Sequence, residues 1–387
     1  MINVFIIGSK GIPAKYGGFE TFVEKLTFNK KSKDIKYFVS CMSSGEVFEH
    51  NNATCFPIEI KKDSAFNRMK NVHNALRWVE NHLEQHSNKA DKNIVYILGC
   101  RVGLLIHFHK KKLHKLGCKI VCNPDGLEWK RDKWNGIQKK IVLCSERKLI
   151  KNSDYVICDS QGIKDYILKT YTFLKPDVVD YIAYGSDISK STSSDDEARK
   201  YLEKFGCKPQ EYYLVVGRFV SENNFDVMIR EFMASHTKKK LLLITNYDRN
   251  DLYKKLNDTL HFENDERIVF AGTLYDEELL KKIRELSYGY IHGHSVGGTN
   301  PSLLEALSYT KINILFNVSF NKEVGRDQCL YFTSVPGDLS KTIDGLDING
   351  NYKGYVDRFN SRKIIEQDFS WNKIVDEYES VFHSLVL

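Results

Sequence analysis

The residues best suited to chemistry stand in short stretches, each directly after an apolar run that reads as a buried strand. The longest is His292-Gly293-His294-Ser295-Val296-Gly297-Gly298-Thr299-Asn300-Pro301-Ser302-Leu303-Leu304-Glu305-Ala306-Leu307. A strand ends there in a loop of small residues, and Pro301 suits the first turn of a following helix. The backbone N–H groups of Gly298, Thr299 and Asn300 can converge on a pyrophosphate. Glu305, one helical turn beyond Pro301, can face the same ligand and accept hydrogen bonds from ribose hydroxyls. A tight loop with a surface glutamate is the alternative. His292 and His294 alternate at the strand end and read as cleft residues.

Three other strand ends carry chemistry. In Val215-Val216-Gly217-Arg218-Phe219 a strand closes on a basic residue before Val220-Ser221-Glu222-Asn223-Asn224 leads into a helix. An arginine there can clamp a phosphate bidentately, or be structural. Gly8-Ser9-Lys10-Gly11-Ile12-Pro13-Ala14-Lys15-Tyr16-Gly17-Gly18 is a glycine-rich turn opening onto a helix from Phe19. Free N–H groups and the helix dipole make such a place an anion site; the alternative is a flexible surface loop. Pro13 does not fit the Gly-x-Gly-x-x-Gly turn, and no P-loop pattern occurs. Glu20 is either functional or a favourable charge in the first helical turn. In Asn123-Pro124-Asp125-Gly126-Leu127-Glu128-Trp129-Lys130-Arg131-Asp132-Lys133-Trp134 the carboxylates of Asp125 and Glu128 can act as base or electrostatic stabiliser. Its tryptophans offer platforms to sugar rings and its cations suit phosphate; a charged turn with packed tryptophans is the alternative.

Metal chemistry has little support. His107, His109 and His114 share a helix with Lys110-Lys111-Lys112 and read as basic surface, since His107 and His109 do not share a helix face. No Asp-x-Asp occurs, against a metal-chelating nucleotide-sugar site of the single-domain kind. The nine cysteines include no Cys-x-x-Cys pair and read as reduced, mostly buried thiols.

The elements that position these loops alternate short β-rich runs with amphipathic helical stretches, the pattern of parallel sheets built from βαβ units. Strands read at Asn3–Ile7, Ile35–Ser40, Thr54–Ile60, Ile94–Leu98, Lys119–Asn123, Tyr155–Cys158 and Val178–Ile182. A second series reads at Tyr212–Val216, Leu241–Thr245, Ile268–Phe270, Gly289–His292, Ile312–Phe316 and Cys329–Phe332. Helices read at Phe19–Asn29, Ser64–Gln85, Gly103–Leu116, Ile137–Lys151 and Gln161–Tyr171, then at Asn224–Ser235, Asp276–Leu286 and Pro301–Tyr309. Between the two series the polar run Ser189–Asp196 signals a linker. The fold class expected is therefore α/β, with two Rossmann-like doubly wound domains facing a cleft, ligands binding at the carboxyl ends of the strands. After Ser370, a good N-cap, an amphipathic helix follows that could close either domain.

With 387 residues, 42% of them apolar and 28% charged, the chain is an ordinary globular protein of two or three domains, neither disordered nor collagenous. No apolar run approaches the roughly 18 residues of a membrane span. The opening Met1-Ile2-Asn3-Val4-Phe5-Ile6-Ile7 reads as a first strand and not a leader, so a cytoplasmic location is expected. The net charge of +7 is unevenly spread. Residues 1–190 hold 32 lysines and arginines against 20 acidic residues, and residues 191–387 hold 25 against 30. The first half should attract something anionic: nucleic acid, an anionic membrane or a phosphorylated substrate. The run Val102-Gly103-Leu104-Leu105-Ile106-His107-Phe108 beside lysines, and Ser64–Gln85 with Arg68, Lys70, Arg77 and Trp78, suit such a membrane, though core-packed helices are the default.

Taken together, the early Gly17-Gly18 loop, the Gly217-Arg218 strand end and the Gly298–Glu305 loop and helix resemble family 4 retaining glycosyltransferases of the GT-B fold, over nearly the whole chain. Gly8–Glu20, Asn123–Trp134 and Gly297–Glu305 resemble, more narrowly, bacterial capsule and cell-wall rhamnosyltransferases, which add L-rhamnose β-1,4 to a sugar on undecaprenyl pyrophosphate. The resemblance implies an acceptor-binding domain at 1–187, a nucleotide-sugar domain at 188–369, and a helix at 370–387 crossing back to the first domain. It implies a dTDP-sugar donor held by Arg218, by the amides of Gly298, Thr299 and Asn300, and by Glu305 on the ribose. Backbone near Val269 and Phe270 would hold the base, and Gly17 and Gly18 would reach the phosphate. Lys15, Tyr16, Trp129 and Arg131 would meet the acceptor, a lipid-pyrophosphate-linked saccharide, with Asp125, then Glu128, positioning or deprotonating its hydroxyl. No metal or cofactor is required, and peripheral contact with the inner face of the plasma membrane is implied. Two departures stand out. The broader family has Glu-x7-Glu, whereas the residue eight before Glu305 is Gly297. Its usual lysine after the arginine is missing, with Asn223 and Asn224 nearby; His294 is a candidate replacement. Rival readings are a UDP- or GDP-sugar transferase, a sugar-nucleotide epimerase, an NAD dehydrogenase and a catalytically silent glycan- or nucleotide-binding subunit. Nucleic-acid binding would explain the charge but not the pyrophosphate loop.

Overall fold

The computed structural model describes all residues except 16, 61–63, 87, 89, 131–133, 248–250, 348–349 and 387, and the side chain at 65. The chain divides into two compact units, Met1–Gly185 with Trp371–Leu387, and Ser186–Ser370. Each is a parallel sheet with helices on both faces.

The first unit holds strands β1 (Ile2–Ile7), β2 (Ile35–Cys41), β3 (Phe48–His50), β4 (Ala53–Pro57), β5 (Lys92–Leu98), β6 (Cys118–Asn123), β7 (Tyr155–Cys158) and β8 (Val179–Tyr181), in the spatial order β3-β4-β2-β1-β5-β6-β7-β8. All pairs are parallel except β3 with β4. The strands read as continuous apolar runs because both faces are covered. Phe5, Ile7, Val95 and Ile97 pack against Val72, Leu76 and Val79 of the helix Ala65–His86. On the other face Tyr96 meets Phe22 and Tyr378.

The second unit holds β9 (Tyr212–Val216), β10 (Lys240–Ile244), β11 (Ile268–Gly272), β12 (Gly289–His292), β13 (Asn313–Phe316) and β14 (Leu330–Phe332), all parallel, ordered β11-β10-β9-β12-β13-β14. Alternate residues serve opposite cores. Tyr213, Val215, Leu241 and Leu243 pack with Phe225, Ile229 and Phe232. Tyr212, Leu214, Leu242 and Ile244 pack with Ala198, Leu202 and Ile283.

Two expectations are refined. The polar run at 189–196 is irregular as far as Ser194, next to the boundary between the units at Gly185 and Ser186, and only its last two residues are helical: Ser194 caps a helix, Asp195–Glu203, by accepting from the Glu197 N–H at 3.1 Å, and Asp195, Asp196 and Glu197 suit its positive end. The expected basic histidine surface is interrupted by His109, which is buried with its ring nitrogens 2.7 Å from Glu80 Oε1 and 2.8 Å from His73 Nδ1. Among the described residues no helix is long and apolar enough to cross a membrane. All nine cysteines are free thiols, and only Cys144 is exposed.

Candidate functional site

The strand order of the second unit reverses between β9 and β12, which pair through Leu214 and Tyr290. A switch point of this kind opens a crevice at the carboxyl ends of the strands. The two loops leaving it carry the residues singled out by sequence, and asparagines join them. Asn223 donates from Nδ2 to the Arg218 carbonyl at 2.7 Å, which turns its Oδ1 to His294 Nδ1 at 2.7 Å. His294 Nδ1 is therefore the donor of this contact, since the Asn223 amide oxygen can only accept. Asn224, at φ 49°, donates to the Gly293 carbonyl at 2.7 Å. Ser295 donates from both N and Oγ to the Glu222 carbonyl, at 2.9 and 3.0 Å. Asn321, buried, donates to the carbonyls of His294 and Phe316. Arg218 is exposed, and its guanidinium has no partner among the described residues.

Gly297 stands at φ 125°, which L side chains rarely adopt, and a Cβ placed on it would lie 3.5 Å from His294 Nε2. This backbone does not suit a glutamate at 297, and an imidazole nitrogen lies beside the place where one would begin. Asn300 caps the helix Pro301–Tyr309 by accepting from Ser302 N at 2.9 Å, while Leu303 N and Leu304 N bond the Asn300 carbonyl. Pro301 has no N–H. The first helical turn thus spends its own amides, and an anion here would be met by the preceding loop, Gly297–Asn300. Thr299 is buried within it.

Glu305 is the element with an unforeseen partner. Arg284, only 2% exposed, sets Nη2 2.6 Å from Glu305 Oε2 and 3.4 Å from Ser302 Oγ. Its Nε is buried with no hydrogen-bond partner. Sequence reasoning missed Arg284. The available signal was a basic residue four after Leu280, on the apolar stripe of the helix Glu277–Glu285, where it needs a buried acid. Ser302 Oγ and Tyr290 Oη lie 3.2 Å apart and both donate to the Val216 carbonyl. His292 is buried beside them, with Nε2 unpartnered; burial, and then the neighbouring His294 ring, hold its pKa well below the usual value, so it is neutral. Val269 and Phe270 lie on β11, an edge strand, with side chains turned to opposite cores, so only its backbone edge is available to a ligand.

In the first unit two loops and the end of β5 meet. Arg101 donates to the Gly8 carbonyl at 3.1 Å, Gly99 N to the Asn123 carbonyl at 2.8 Å, and Cys100 Sγ to the Pro124 carbonyl. The glycine-rich loop is tied to its helix, Gly18–Phe28, by carboxylates: Glu20 accepts from Lys10 N at 2.7 Å and Glu24 from Ala14 N at 2.8 Å. A side chain at Gly17, φ 133°, would collide with Glu20 Oε2. The helix end at Gly17 and Gly18 thus already carries a carboxylate. Lys15 is exposed. Asp125 and Leu127 both have positive φ, 57° and 49°, a strained turn. Asn123 Oδ1 accepts from Asp125 N, and Asp125 Oδ1 from Gly126 N, each at 2.9 Å. Glu128 and Trp129 begin a 3₁₀ turn, and Lys130 lies over the Trp129 ring. Trp129 Nε1 donates to Tyr166 Oη, which with Tyr171 Oη donates to Glu146; burial raises the pKa of that carboxyl. Tyr16 and Arg131 lie outside the described residues. Among the described residues no group of three or more His, Cys, Asp or Glu is placed to hold a metal ion.

Residues 1–187 match a family described as a domain of unknown function (DUF1972). The chain is 25% identical to an uncharacterized glycosyltransferase of Methanocaldococcus jannaschii over 389 residues, 96% of this chain and 95% of that protein. Among solved structures, Anabaena HepE in complex with UDP aligns at TM-score 0.72 and 14% identity, over 99% of this chain and 100% of that one. Sucrose-phosphate synthase from Thermosynechococcus elongatus aligns at TM-score 0.77 and 13% identity, over 99% and 98%. A likeness that spans both units establishes the GT-B fold.

Proposed function

We propose that the protein is a retaining glycosyltransferase that takes a nucleotide-diphosphate sugar in its second unit and an acceptor hydroxyl in its first. The observation that carries this is the switch-point loop pair of the second unit, where an exposed Arg218, the Gly297–Asn300 backbone and Glu305 stand on one set of strand ends. The glycosyltransferase relative from Methanocaldococcus jannaschii supports the activity, and HepE with UDP supports the donor class.

More narrowly, the donor is dTDP-β-L-rhamnose and the acceptor a glucose or N-acetylglucosamine on undecaprenyl pyrophosphate, at the inner face of the plasma membrane. As the bond to dTDP breaks, charge grows on the leaving diphosphate. Arg218 and the loop amides are aimed at that charge, where fixed donors lower the barrier most, and no cofactor is required. The hydroxyl then attacks the same face of an oxocarbenium-like centre, and configuration is retained. Asp125, and after it Glu128, position or deprotonate that hydroxyl. His294 Nε2 takes the place of the missing first glutamate beside the sugar. UDP in the HepE structure favours a second reading, a UDP-sugar donor.

Thermal stabilisation by dTDP, UDP, GDP and NAD decides between these. Ligand at about 100 times its Kd adds roughly 2.7 kcal/mol. The expected result is a dTDP shift that Arg218→Ala abolishes. A UDP or GDP preference keeps the transferase and replaces rhamnose; a response to NAD alone overturns the reading.

A further inference from the structure

The first unit has a switch point of its own. Its strand order reverses between β1 and β5, which pair from Ile2 with Lys92 to Ile7 with Ile97. The crevice this opens at the carboxyl ends of the two strands is floored by glycine. A Cβ on Gly8, φ 104°, would lie 2.2 Å from the Leu98 carbonyl oxygen. A Cβ on Gly99, φ 76°, would lie 3.5 Å from Phe19 Cε2 and 3.9 Å from Arg101 Nη1. The missing side chain at 99 thus leaves a recess between an aromatic edge and a guanidinium. Arg101 is half-buried, and its one hydrogen bond runs from Nη1 to the Gly8 carbonyl at 3.1 Å. Nη2 and Nε have no partner, and no carboxylate pairs with the cation, among the described residues. The nearby Glu20 accepts from Lys10 N instead. A planar donor fork drawn partly out of water without an acid suits a phosphate oxygen pair. The cationic excess of residues 1–190 draws the same class of ligand.

We infer that Arg101 is an anion-binding residue of the first unit and takes the phosphate or pyrophosphate carried by the acceptor. This rests on the reading of the first unit as the acceptor domain. Gly99 N donates to the Asn123 carbonyl at 2.8 Å and Cys100 Sγ to the Pro124 carbonyl at 3.1 Å, so the segment carrying Arg101 is fixed to the loop carrying Asp125. A sugar phosphate anchored on Arg101 is thereby held beside the loop that receives its hydroxyl.

The test is calorimetric titration of the full chain with inorganic pyrophosphate in an Arg218→Ala background, which removes the proposed donor cation. A hydrogen bond to a charged group corresponds to roughly a tenfold to hundredfold change in affinity. Arg101→Gln should weaken pyrophosphate by about tenfold or more. Arg101→Lys, which keeps the charge but not the fork, should fall between. Gly99→Asn tolerates the left-handed backbone and fills the recess, so it should weaken pyrophosphate with Arg101 intact, and it decides the matter should Arg101→Gln not fold. Pyrophosphate binding that these substitutions leave unchanged, or none at all before them, overturns the inference. With Arg218 present, Arg101→Gln should keep the stabilisation by dTDP or UDP; its loss would give Arg101 to the nucleotide and overturn the assignment to the acceptor. If no nucleotide stabilises the wild type while Arg101-dependent pyrophosphate binding holds, the donor reading falls and the inference stands. Farnesyl pyrophosphate in phosphatidylcholine vesicles separates the sources. Arg101-dependent capture of those vesicles assigns a lipid-borne pyrophosphate, and Arg101-dependent binding of free pyrophosphate alone assigns a soluble phosphorylated acceptor.

Discussion

A methyl group on Gly293 would meet the Asn223 carbonyl oxygen at 2.2 Å and the end of Met228 at 2.9 Å. The two loops of the switch point touch there backbone to backbone, and the Asn223 and Asn224 side chains bond across the same seam. Gly293→Ala should force the seam open, at about 1–3 kcal/mol for overpacking. It should also weaken nucleotide binding, because Arg218 and the Gly297–Asn300 loop then lose their common frame. Gly354→Ala is the matched control. That glycine lies in the helix Tyr352–Arg358 with nothing within 4 Å, so alanine should be neutral or should stabilise by roughly 0.5–1 kcal/mol. Thermal unfolding of the two variants checks this: equal midpoints would mean the seam is not tight. At this scale sequence exposes backbone devices better than side-chain partners. Gly297, Pro301 and the Asn300 cap sit in one contiguous stretch. Arg284 reaches Glu305 from another helix, and Glu146 holds Trp129 through Tyr166, pairings that exist only once the chain is packed.

The helix Trp371–Ser384 shows how an element far along the chain completes the first unit. Ile374, Val375, Tyr378 and Phe382 are buried on one face, against Phe22, Tyr37 and Tyr96. Glu379 accepts from the backbone N–H groups of Lys31 and Ser32, at 3.0 and 2.8 Å, which the turn after Asn29 would otherwise leave without partners. Phe382→Ala should therefore cost about 3–5 kcal/mol, and Ser380→Ala, on the exposed face, less than about 0.5 kcal/mol. Denaturant unfolding followed by tryptophan fluorescence separates the two; a Phe382→Ala midpoint equal to that of Ser380→Ala would deny the helix this role. Legibility at this scale follows element length and patterning. The strands Tyr155–Cys158, Tyr212–Val216 and Gly289–His292 and the helix Pro301–Tyr309 fall where their apolar runs and punctuation predict. The short helices Ser319–Gly325, Asp338–Asp347 and Ser361–Asp368 do not announce themselves, because two to three turns of mixed residues carry too little periodicity. The hairpin strand β3 escapes for a different reason: its Phe48-Glu49-His50 is half exposed and offers no apolar run.

Across the whole molecule charge divides along the chain. Residues 1–190 carry the cationic excess, and residues 191–387 a small acidic one. The donor reading needs little long-range attraction, since Arg218 and the loop amides act at contact distance. The proposed lipid-linked acceptor does need it, and the first unit exposes apolar side chains among its cations. The helix Gly136–Asn152 exposes Ile137 and Ile141 together with Lys140, Arg147 and Lys148, and the helix Ile106–Lys115 exposes Phe108 with Lys111 and Lys115. Apolar side chains interleaved with cations are the composition of an interfacial helix. Each basic residue near an anionic surface contributes about 1 kcal/mol, and that attraction has a range of about 10 Å at 0.1 M salt and about 3 Å at 1 M. Flotation with vesicles of phosphatidylcholine and phosphatidylglycerol should therefore carry the full chain at low salt and release it at 1 M. Replacing Lys140 and Lys148 together by glutamate should lower the bound fraction at low salt, while nucleotide stabilisation, which the proposed donor site assigns to the second unit, stays unchanged. Equal flotation on vesicles of phosphatidylcholine alone, or indifference to salt, would separate the basic half of the chain from any membrane role and leave the acceptor to be sought in solution.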